Sequence, residues 1–141
     1  MRQHRWARIA LARVSEAATL DEKARNEYRS LCRNLPVLLR RSGIAQSLTF
    51  LESRSGERGD RVLHDLASVY GVPAKQLVGR AVNIEKISEY LVMSRDLLAI
   101  AGWMRRFADA VLPSPSTDAG TAQSPEDVTG APTSPPSEQV E

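Results

Sequence analysis

The stretch from Tyr28 to Arg54 constrains the fold of this chain more than any other. Its apolar side chains recur at intervals of three and four residues, which is the spacing of one face of an α-helix. Pro36 lacks an N–H and its ring crowds the carbonyl four residues back, so the helix must bend there or restart with Asn34 as its cap. Ser42 and Gly43 then end it, because glycine tolerates the positive φ of a helix stop. Two helices that fold back on each other are predicted.

Each of these two helices is expected to bury one side. The apolar residues that share that side are Tyr28, Leu31, Leu35, Leu38, Leu39, Ile44, Leu48 and Leu51, with Phe50 beside them. The residues predicted to have a structural role are Pro36, Gly43, Phe50 and Trp103.

Residues 1–112 show the same helical spacing outside this stretch. The first helix, over residues 1–17, carries an apolar stripe for docking on a core, made of Trp6, Ile9, Ala10, Val14 and Ala17. After a break near residues 18–20, Asp21 can cap the next helix. A further helix runs from Val62 to a glycine stop at Gly71, and a last helix or helix pair follows from Asn83. Its apolar positions are Ile84, Ile87, Leu91, Leu97, Ala101, Met104, Ala108 and Val111.

Strand patterns are missing from this sequence. Valine and isoleucine never alternate with polar residues over the length of a strand. The predicted fold class is therefore all-α, a compact bundle of about five or six helices. The segment SRSGERGD, residues 53–60, is rich in glycine and charge and is expected to form an exposed connection whose arginines only a partner could order.

Residues 113–141 differ in composition from the rest of the chain. They hold six of the eight prolines, many serines and threonines, and only two apolar residues larger than alanine. Such a segment cannot bury enough apolar area to fold. The sequence therefore predicts a helical domain over residues 1–112 and a disordered acidic tail, which we interpret as an inert extension rather than an electrostatic screen.

Charge is also divided between these two regions. All 19 basic and 12 of the 17 acidic residues lie in residues 1–112, for a net charge of +7, and the tail carries −5. Sixteen of the basic residues are arginine, whose planar guanidinium suits phosphate, although a GC-rich genome would produce the same bias. Arg25, Arg29 and Arg33 follow one another at intervals of four and form a ridge facing away from the apolar side. A solvated helix face is the favoured interpretation of that ridge.

One aromatic residue lies among the arginines near the end of the last helix. Trp103 and Arg106 are three residues apart, next to Arg105, so an indole and a guanidinium could share one exposed patch. A core position for Trp103 is equally well supported by the sequence.

The sequence also bears on the compartment. Cys32 is the single cysteine, so no intrachain disulfide can form, and the cytoplasm is the expected location. Arg95 and Asp96 interrupt the most apolar window, so no membrane span is predicted. The arginine-rich first twenty residues share the amphipathic pattern of an organelle-targeting presequence, but we favour a helix that docks on the core.

No group of residues with catalytic chemistry stands out. His4 and His64 have no partners at metal-ligand spacing, and Cys32 has no evident partner base. Asp21 and Glu22 occupy capping or solvent positions. Neither a phosphate-binding glycine loop nor a nucleophile motif is present. An enzyme, a metal site, a cofactor and a small-molecule substrate are therefore not expected.

A rival signal lies between the third and fourth predicted helices. The residues that match the spacing of a helix-turn-helix are Leu66, Ala67, Gly71, Val72 and Leu77. Alanine and glycine there would allow the close packing and the turn. The pattern is degenerate, and Gly79 weakens the recognition helix. A small DNA-binding regulator using residues 62–80 is the alternative function, and an adaptor for an acidic partner is a weaker third.

Three motifs, in order along the chain, carry a resemblance to a known family. They are WARIALARV at residues 6–14, LPVLLRRSGIAQSLTFLESR at residues 35–54, and EYLVMSRDLLAIAGWMRRFADAVL at residues 89–112. Together with Tyr28 they resemble the small helical subunit of type III-B CRISPR effector complexes, the Cmr ribonucleoproteins. The most specific parts are Leu-Pro followed seven residues later by Gly43, Phe-Leu with a basic residue three beyond, and the closing Trp-x-Arg-Arg-Phe-Ala. The resemblance spans about residues 5–112 and is weakest over residues 55–81.

This resemblance implies a non-catalytic subunit. Such a subunit is a helical bundle that stacks with copies of itself along guide and target RNA, while other subunits hold the RNA and cleave it. The positions where the family has basic residues are Arg40, Arg41, Arg54, Arg105 and Arg106, which the resemblance implies as contacts to the RNA backbone. The implied partners are other subunits of a Cmr-type complex, copies of this chain, and guide and target RNA. An arginine surface by itself would serve DNA, RNA or an acidic protein equally.

Overall fold

The computed structural model describes residues 1–53 and 56–114. In that part of the chain the regular structure consists of five α-helices and one 3₁₀ turn, with no strand. They are α1 (Arg2–Glu16), the 3₁₀ turn Ala17–Thr19, α2 (Glu22–Ser53), α3 (Gly56–Tyr70), α4 (Ala74–Asn83) and α5 (Ile87–Val111). The all-α prediction is confirmed. The predicted tail lies outside the described residues apart from its first two positions, as do Arg54 and Ser55.

The core forms around α2, which packs most extensively against α5 and α3. Helix α1 packs mainly on α5, through the stripe that the sequence predicts: Trp6, Ala10, Val14 and Ala17 are buried, and Ile9 is partly buried. The prediction of a docking helix at the start of the chain is confirmed. The break that follows is the 3₁₀ turn, and the Asp21 carboxylate accepts a hydrogen bond from the Ala24 N–H at 3.1 Å. Asp21 is therefore the N-cap, as predicted.

Helix α2 passes through Pro36 without a restart. Gly43 is the residue inside α2 whose dihedral angles are not helical, so Asn34 is an interior residue and the restart hypothesis is wrong. Pro36 forfeits one backbone hydrogen bond, but it is buried between Leu35 and Leu39, which are also buried. Tertiary packing of this kind can stabilise a helix across a proline.

Gly43 divides α2 into two halves, residues 22–42 and 44–53. Its φ of +81° and ψ of 166° belong to a region that is open essentially to glycine alone. The Ser47 hydroxyl donates to the Leu38 carbonyl at 3.0 Å across the break, which brings the two halves close together. Ile44 and Leu48 are buried as predicted, while Phe50 is 38% exposed and lies outside the core. Leu31 and Leu38 are only half-buried.

The expected loop over residues 53–60 is not found where the structure describes that segment. Helix α3 begins at Gly56, and Glu57 lies in its first turn. A negative charge at this end of a helix interacts favourably with the helix dipole. The Arg58 guanidinium lies 3.4 Å from the Glu27 carboxylate of α2 and 3.0 Å from that of Glu57. The expectation that only a partner could order these arginines is therefore wrong for Arg58, because acids of the same chain pair with it.

The first two turns of α5 also differ from the prediction. The sequence places Ile87 and Leu91 on a buried stripe, but they are 74% and 59% exposed. The stripe becomes buried from Met93 onward, and Leu97, Ala101, Met104 and Ala108 are buried as predicted. At its start α5 carries the apolar period of a packed helix, but none of the helices that the structure describes covers it.

One polar pair lies inside the core. The Tyr28 hydroxyl donates a hydrogen bond of 2.5 Å to the Asp65 carboxylate of α3, and both residues are buried. Burial raises the pKa of the Asp65 carboxyl above its ordinary value, while the Tyr28 hydrogen bond and the charge of Arg61 oppose that rise. Burial likewise raises the pKa of the Cys32 thiol to about 12, which fits the structural role expected for this cysteine.

Candidate nucleic-acid interface

Two grooves flank the packing between the first half of α2 and the second half of α5. The first, which we call the Trp103 cleft, has a volume of about 660 Å³ and is lined by Gln3, Pro36, Arg40, Leu98, Ala99, Gly102, Trp103 and Arg106. The second, the Arg105 groove, has a volume of about 460 Å³ and is lined by Asn26, Arg29, Ser30, Arg33, Asn34, Val37 and Arg105. Basic residues from both helices therefore lie along this helix pair.

Trp103 is held in place by three neighbours. Its indole N–H donates to the Gln3 side-chain oxygen at 3.0 Å, and its ring stacks on Phe107 with centroids 5.6 Å apart. The guanidinium carbon of Arg106 lies 5.0 Å from the Trp103 ring centroid. Positions 103, 106 and 107 share one face of α5 because they are three and four residues apart. The predicted indole and guanidinium patch is confirmed, and Trp103 is half-buried rather than a core residue.

The arginines of the Trp103 cleft keep their charge available. No carboxylate of residues 1–53 or 56–114 lies within ion-pair distance of Arg40 or Arg106. Both residues are exposed. A guanidinium in this state can form bidentate hydrogen bonds with a phosphate without first breaking an internal pair.

The predicted ridge of Arg25, Arg29 and Arg33 is engaged within the chain. Arg29 and Arg33 contact the Asp109 carboxylate of α5 at 3.4 and 3.0 Å, and the Arg29 side chain is only 14% exposed. Arg25 donates to the Leu20 carbonyl at 3.1 Å. The interpretation of a solvated ridge is therefore wrong for Arg25 and Arg29, because α5 and the turn before α2 cover this side.

The residues predicted to contact nucleic acid do not form a single site. Arg40 and Arg106 meet in the Trp103 cleft, whereas Arg105 lies in the Arg105 groove. Arg41 is exposed and lines neither groove, and Arg54 lies outside the described residues. Gln3 was not predicted, since it lies 100 residues before its partner Trp103 and has no motif to mark it.

A second exposed surface is apolar. It consists of Ile84, Ile87, Leu91 and Val92, and we call it the apolar face. Ile87, Leu91 and Val92 are 74%, 59% and 48% exposed, and Ile84 lines a shallow groove on either side. Charges of both signs border the two grooves, from Arg80, Glu85, Lys86 and Glu89. An apolar centre with a mixed polar rim is typical of protein contacts rather than nucleic-acid contacts.

The segment that matched a helix-turn-helix does form two helices joined by a tight turn. Gly71 has a φ of +106°, and the Val72 N–H donates to the Ala67 carbonyl at 3.1 Å, the hydrogen bond of a Schellman motif. Helix α4 carries only two basic residues, and one of them, Arg80, lies over the Tyr70 ring at 6.0 Å. Lys75 is therefore the one basic residue of α4 that no partner in the described chain engages. A single free positive charge is little for a helix that would have to bind the DNA backbone.

In residues 1–53 and 56–114, no three of the His, Cys, Asp and Glu side chains come together as a metal site needs. His4 and His64 are both exposed, as predicted. None of the helices that the structure describes is long and apolar enough to cross a bilayer.

Comparison with known proteins identifies the family. The family model described as "CRISPR-associated protein (Cas_Cmr5)" matches residues 2–111. A Thermus thermophilus protein named CRISPR system Cmr subunit Cmr5 is 37% identical over 107 residues, which cover 76% of this chain and 92% of that protein. The crystal structure of a CRISPR-associated Cmr5 family protein from Thermus thermophilus matches with a TM-score of 0.74 at 37% identity, covering 80% of this chain and 98% of that one. The resemblance carried by the three motifs is confirmed, and the chain belongs to the CRISPR-associated Cmr5 family.

Proposed function

We propose that this protein is a non-catalytic, cytoplasmic subunit of a Cmr effector complex, and that it contacts the RNA backbone through arginines on α2 and α5. The observation that carries the proposal is the Trp103 cleft, where Arg40 and Arg106 lie together without a carboxylate partner among the described residues. The net charge of +7 over residues 1–112 adds a long-range attraction for phosphate. The Thermus relative is named as a Cmr subunit, and this supports the same assembly for this chain.

Contacts of this kind do not depend on RNA sequence. Guanidinium groups bind phosphates, which are the same at every nucleotide, so they position a protein without selecting bases. Arg41 and Arg105 add charge beside the cleft and are proposed as further backbone contacts. A subunit that must sit along any guide and target requires this tolerance.

The proposal assigns no chemistry to this subunit. The described residues bring together no pair of acid and base groups beside a nucleophile in the Trp103 cleft, whose polar side chains are those of Gln3, Arg40, Trp103 and Arg106. Guanidinium and side-chain amide groups are not the general bases of proteins, so this lining offers no such base. Metal-dependent RNA cleavage that persists on repurification and is lost on a single substitution would contradict this assignment.

The apolar face is proposed as the contact with a neighbouring copy of this chain in the complex. We expect Ile87→Glu with Leu91→Glu to abolish self-association and incorporation into the complex, because two buried charges would oppose the contact. Both side chains are already exposed in the single chain, so helix content and the thermal midpoint should be unchanged. Sedimentation of the purified protein and its recovery with the other subunits measure the effect.

A matched control is available on α1. Leu11 is also an exposed leucine, 40% accessible, and it lines neither of the grooves beside the apolar face. Leu11→Glu should leave self-association and incorporation intact. If the double variant assembled normally, or if Leu11→Glu were equally disruptive, the apolar face would not be the contact.

The arginine contacts are tested by charge reversal. Arg40→Glu with Arg41→Glu should weaken loading of the complex onto RNA by at least about tenfold, and to the same degree for unrelated RNA sequences. Both residues are exposed, so circular dichroism should show unchanged helix content. Lys75→Ala with Gln76→Ala is the control, since these residues would contact bases in the DNA-regulator hypothesis. If the Arg40 and Arg41 variant loaded RNA normally while the Lys75 and Gln76 variant lost selective DNA binding, the RNA proposal would be wrong and the DNA-regulator hypothesis would be favoured.

A further inference from the structure

The Trp103 cleft has features that backbone binding does not require. Its lining includes the indole of Trp103 together with small or apolar residues, which are Ala99, Gly102, Leu98 and Pro36. A protein that only tracks phosphates needs exposed positive charge and no aromatic side chain. A concave site with an aromatic wall and a cationic rim is instead the arrangement that accepts a flat, polarizable ring attached to an anion.

Gly102 contributes open space to this cleft. It lies in the interior of α5, where glycine destabilises a helix by roughly 0.5–1 kcal/mol relative to alanine. A Cβ at this position would meet no atom within 4 Å, so packing inside the chain does not require glycine there. The space that Gly102 leaves belongs to the Trp103 cleft.

Two contacts within the chain position the indole that lines the cleft. The hydrogen bond to Gln3 and the stack on Phe107 fix the Trp103 ring, and the ring in turn supports the guanidinium of Arg106. Bases of single-stranded RNA stack on aromatic rings and on guanidinium planes of this kind. Arg40 lines the same cleft, so it can bind the phosphate of a nucleotide whose base has entered.

We propose that the Trp103 cleft binds one unstacked nucleobase of single-stranded RNA, against Trp103 and Arg106 and over Gly102, with the adjoining phosphate on Arg40. The inference rests on the proposed function for the identity of the ligand as RNA. It adds a base-binding pocket to the proposed backbone contacts. Backbone contacts alone would bind an RNA strand and an abasic strand equally well. A nucleotide is small enough for a cleft of about 660 Å³.

The test compares two probes that differ only in their bases. Full-length protein is titrated at low salt with oligoadenylate and with an abasic ribose-phosphate oligomer of the same length. Stacking of one base is worth about 1–3 kcal/mol, so oligoadenylate should bind at least about fivefold more tightly. Equal affinity for the two probes would overturn the base pocket, as would the absence of binding to both.

A second test fills the cleft with a larger side chain and leaves the charge of the protein unchanged. Gly102→Leu should remove the preference for oligoadenylate and leave affinity for the abasic oligomer unchanged. Gly79→Leu is the matched control, because Gly79 also lies in a helix with open space around its Cβ position and does not line the cleft. It should retain the preference. A preference that survives Gly102→Leu would contradict the assignment, and the wild-type comparison stays decisive if that variant folds poorly.

The two proposals fail in different ways. Arg40→Gln should weaken binding of both probes by a similar factor, because it removes a phosphate contact. If Arg40→Gln weakens both probes while the wild type shows no preference for bases, backbone contact stands and the base pocket is wrong. If Arg40→Gln changes the affinity for neither probe, Arg40 does not bind the phosphate of the nucleotide and the base-pocket proposal is wrong. The proposed function is then decided separately, by the RNA-loading experiment on the assembled complex.

Discussion

Replacing Tyr28 by phenylalanine is expected to lower the free energy of unfolding by about 3 kcal/mol at pH 7. The substitution removes the hydroxyl that donates to Asp65 and leaves a buried carboxylate without that donor. A buried charge that loses its hydrogen bond is penalised by the full cost of its desolvation. Urea-induced unfolding followed by circular dichroism measures the loss.

The loss should depend on pH in a defined direction. Burial raises the folded-state pKa of Asp65 above its ordinary value, so Asp65 favours the folded state most when it is protonated, below its ordinary pKa near about 4. That contribution disappears as the pH rises through the folded-state pKa. The Tyr28 hydrogen bond lowers this pKa, so its removal raises it further. The deficit of Tyr28→Phe should therefore grow as the pH rises from about 4 to 7.

Tyr70→Phe provides the matched control. Tyr70 is half-buried, and its hydroxyl has no hydrogen-bond partner in the described part of the chain. Its replacement should change stability by less than about 0.5 kcal/mol, with no pH dependence. A Tyr28→Phe deficit that is constant with pH, or largest in acid, would mean that Asp65 is not held as an ionised partner of Tyr28.

Gly43→Val is expected to destabilise the protein by about 3 kcal/mol. Valine would have to adopt a φ of +81° and a ψ of 166°, a conformation that costs other residues about 1–3 kcal/mol and more for β-branched ones. Its Cβ would also lie 3.0 Å from the Tyr90 hydroxyl, which must move. The shift of the urea midpoint measures the effect.

Another glycine of the chain provides the contrast. Gly102 has ordinary helical geometry and open space around its Cβ position, so Gly102→Ala should stabilise the protein by up to about 1 kcal/mol. A Gly43→Val loss below about 0.5 kcal/mol would show that the chain can reverse at this point without a positive φ.

Local chemistry in the sequence was sufficient for several elements of the fold. Asp21 identifies the start of α2 because a carboxylate before an apolar period satisfies free N–H groups. Gly43 identifies the break because no other residue suits its dihedral angles. Both effects act within a few residues, so the sequence contains the information needed to predict them.

Features that depend on long-range contacts were harder to predict from the sequence. The sequence could not show that Glu27 pairs with Arg58, or that Asp109 pairs with Arg29 and Arg33, since these partners meet only in the folded bundle. Asp96 interrupts an apolar window in the sequence, yet the fold buries it against Arg2 at 3.2 Å. The charge of a residue is visible in the sequence, whereas its pairing is decided by packing.

The same limit applies to the two candidate surfaces. Trp103 and Arg106 are close in sequence, so their shared patch could be anticipated, but Gln3 and Arg40 join them only through the packing of α1 and α2 on α5. The sequence did not predict the exposure of Ile87 and Leu91. The same helical spacing of apolar residues occurs in a helix that packs inside its own chain and in one that binds a separate molecule.

The salt dependence of RNA binding tests the central claim most directly. Removing one phosphate contact to a single strand should reduce the slope of log K against log salt concentration by about 0.7, so Arg40→Gln with Arg106→Gln should make it shallower by about 1.4. The measurement compares wild-type and variant complexes on one RNA over a range of salt concentrations. A shallower slope that is the same for unrelated RNA sequences is the expected result. An unchanged slope would mean that Arg40 and Arg106 do not contact the RNA backbone.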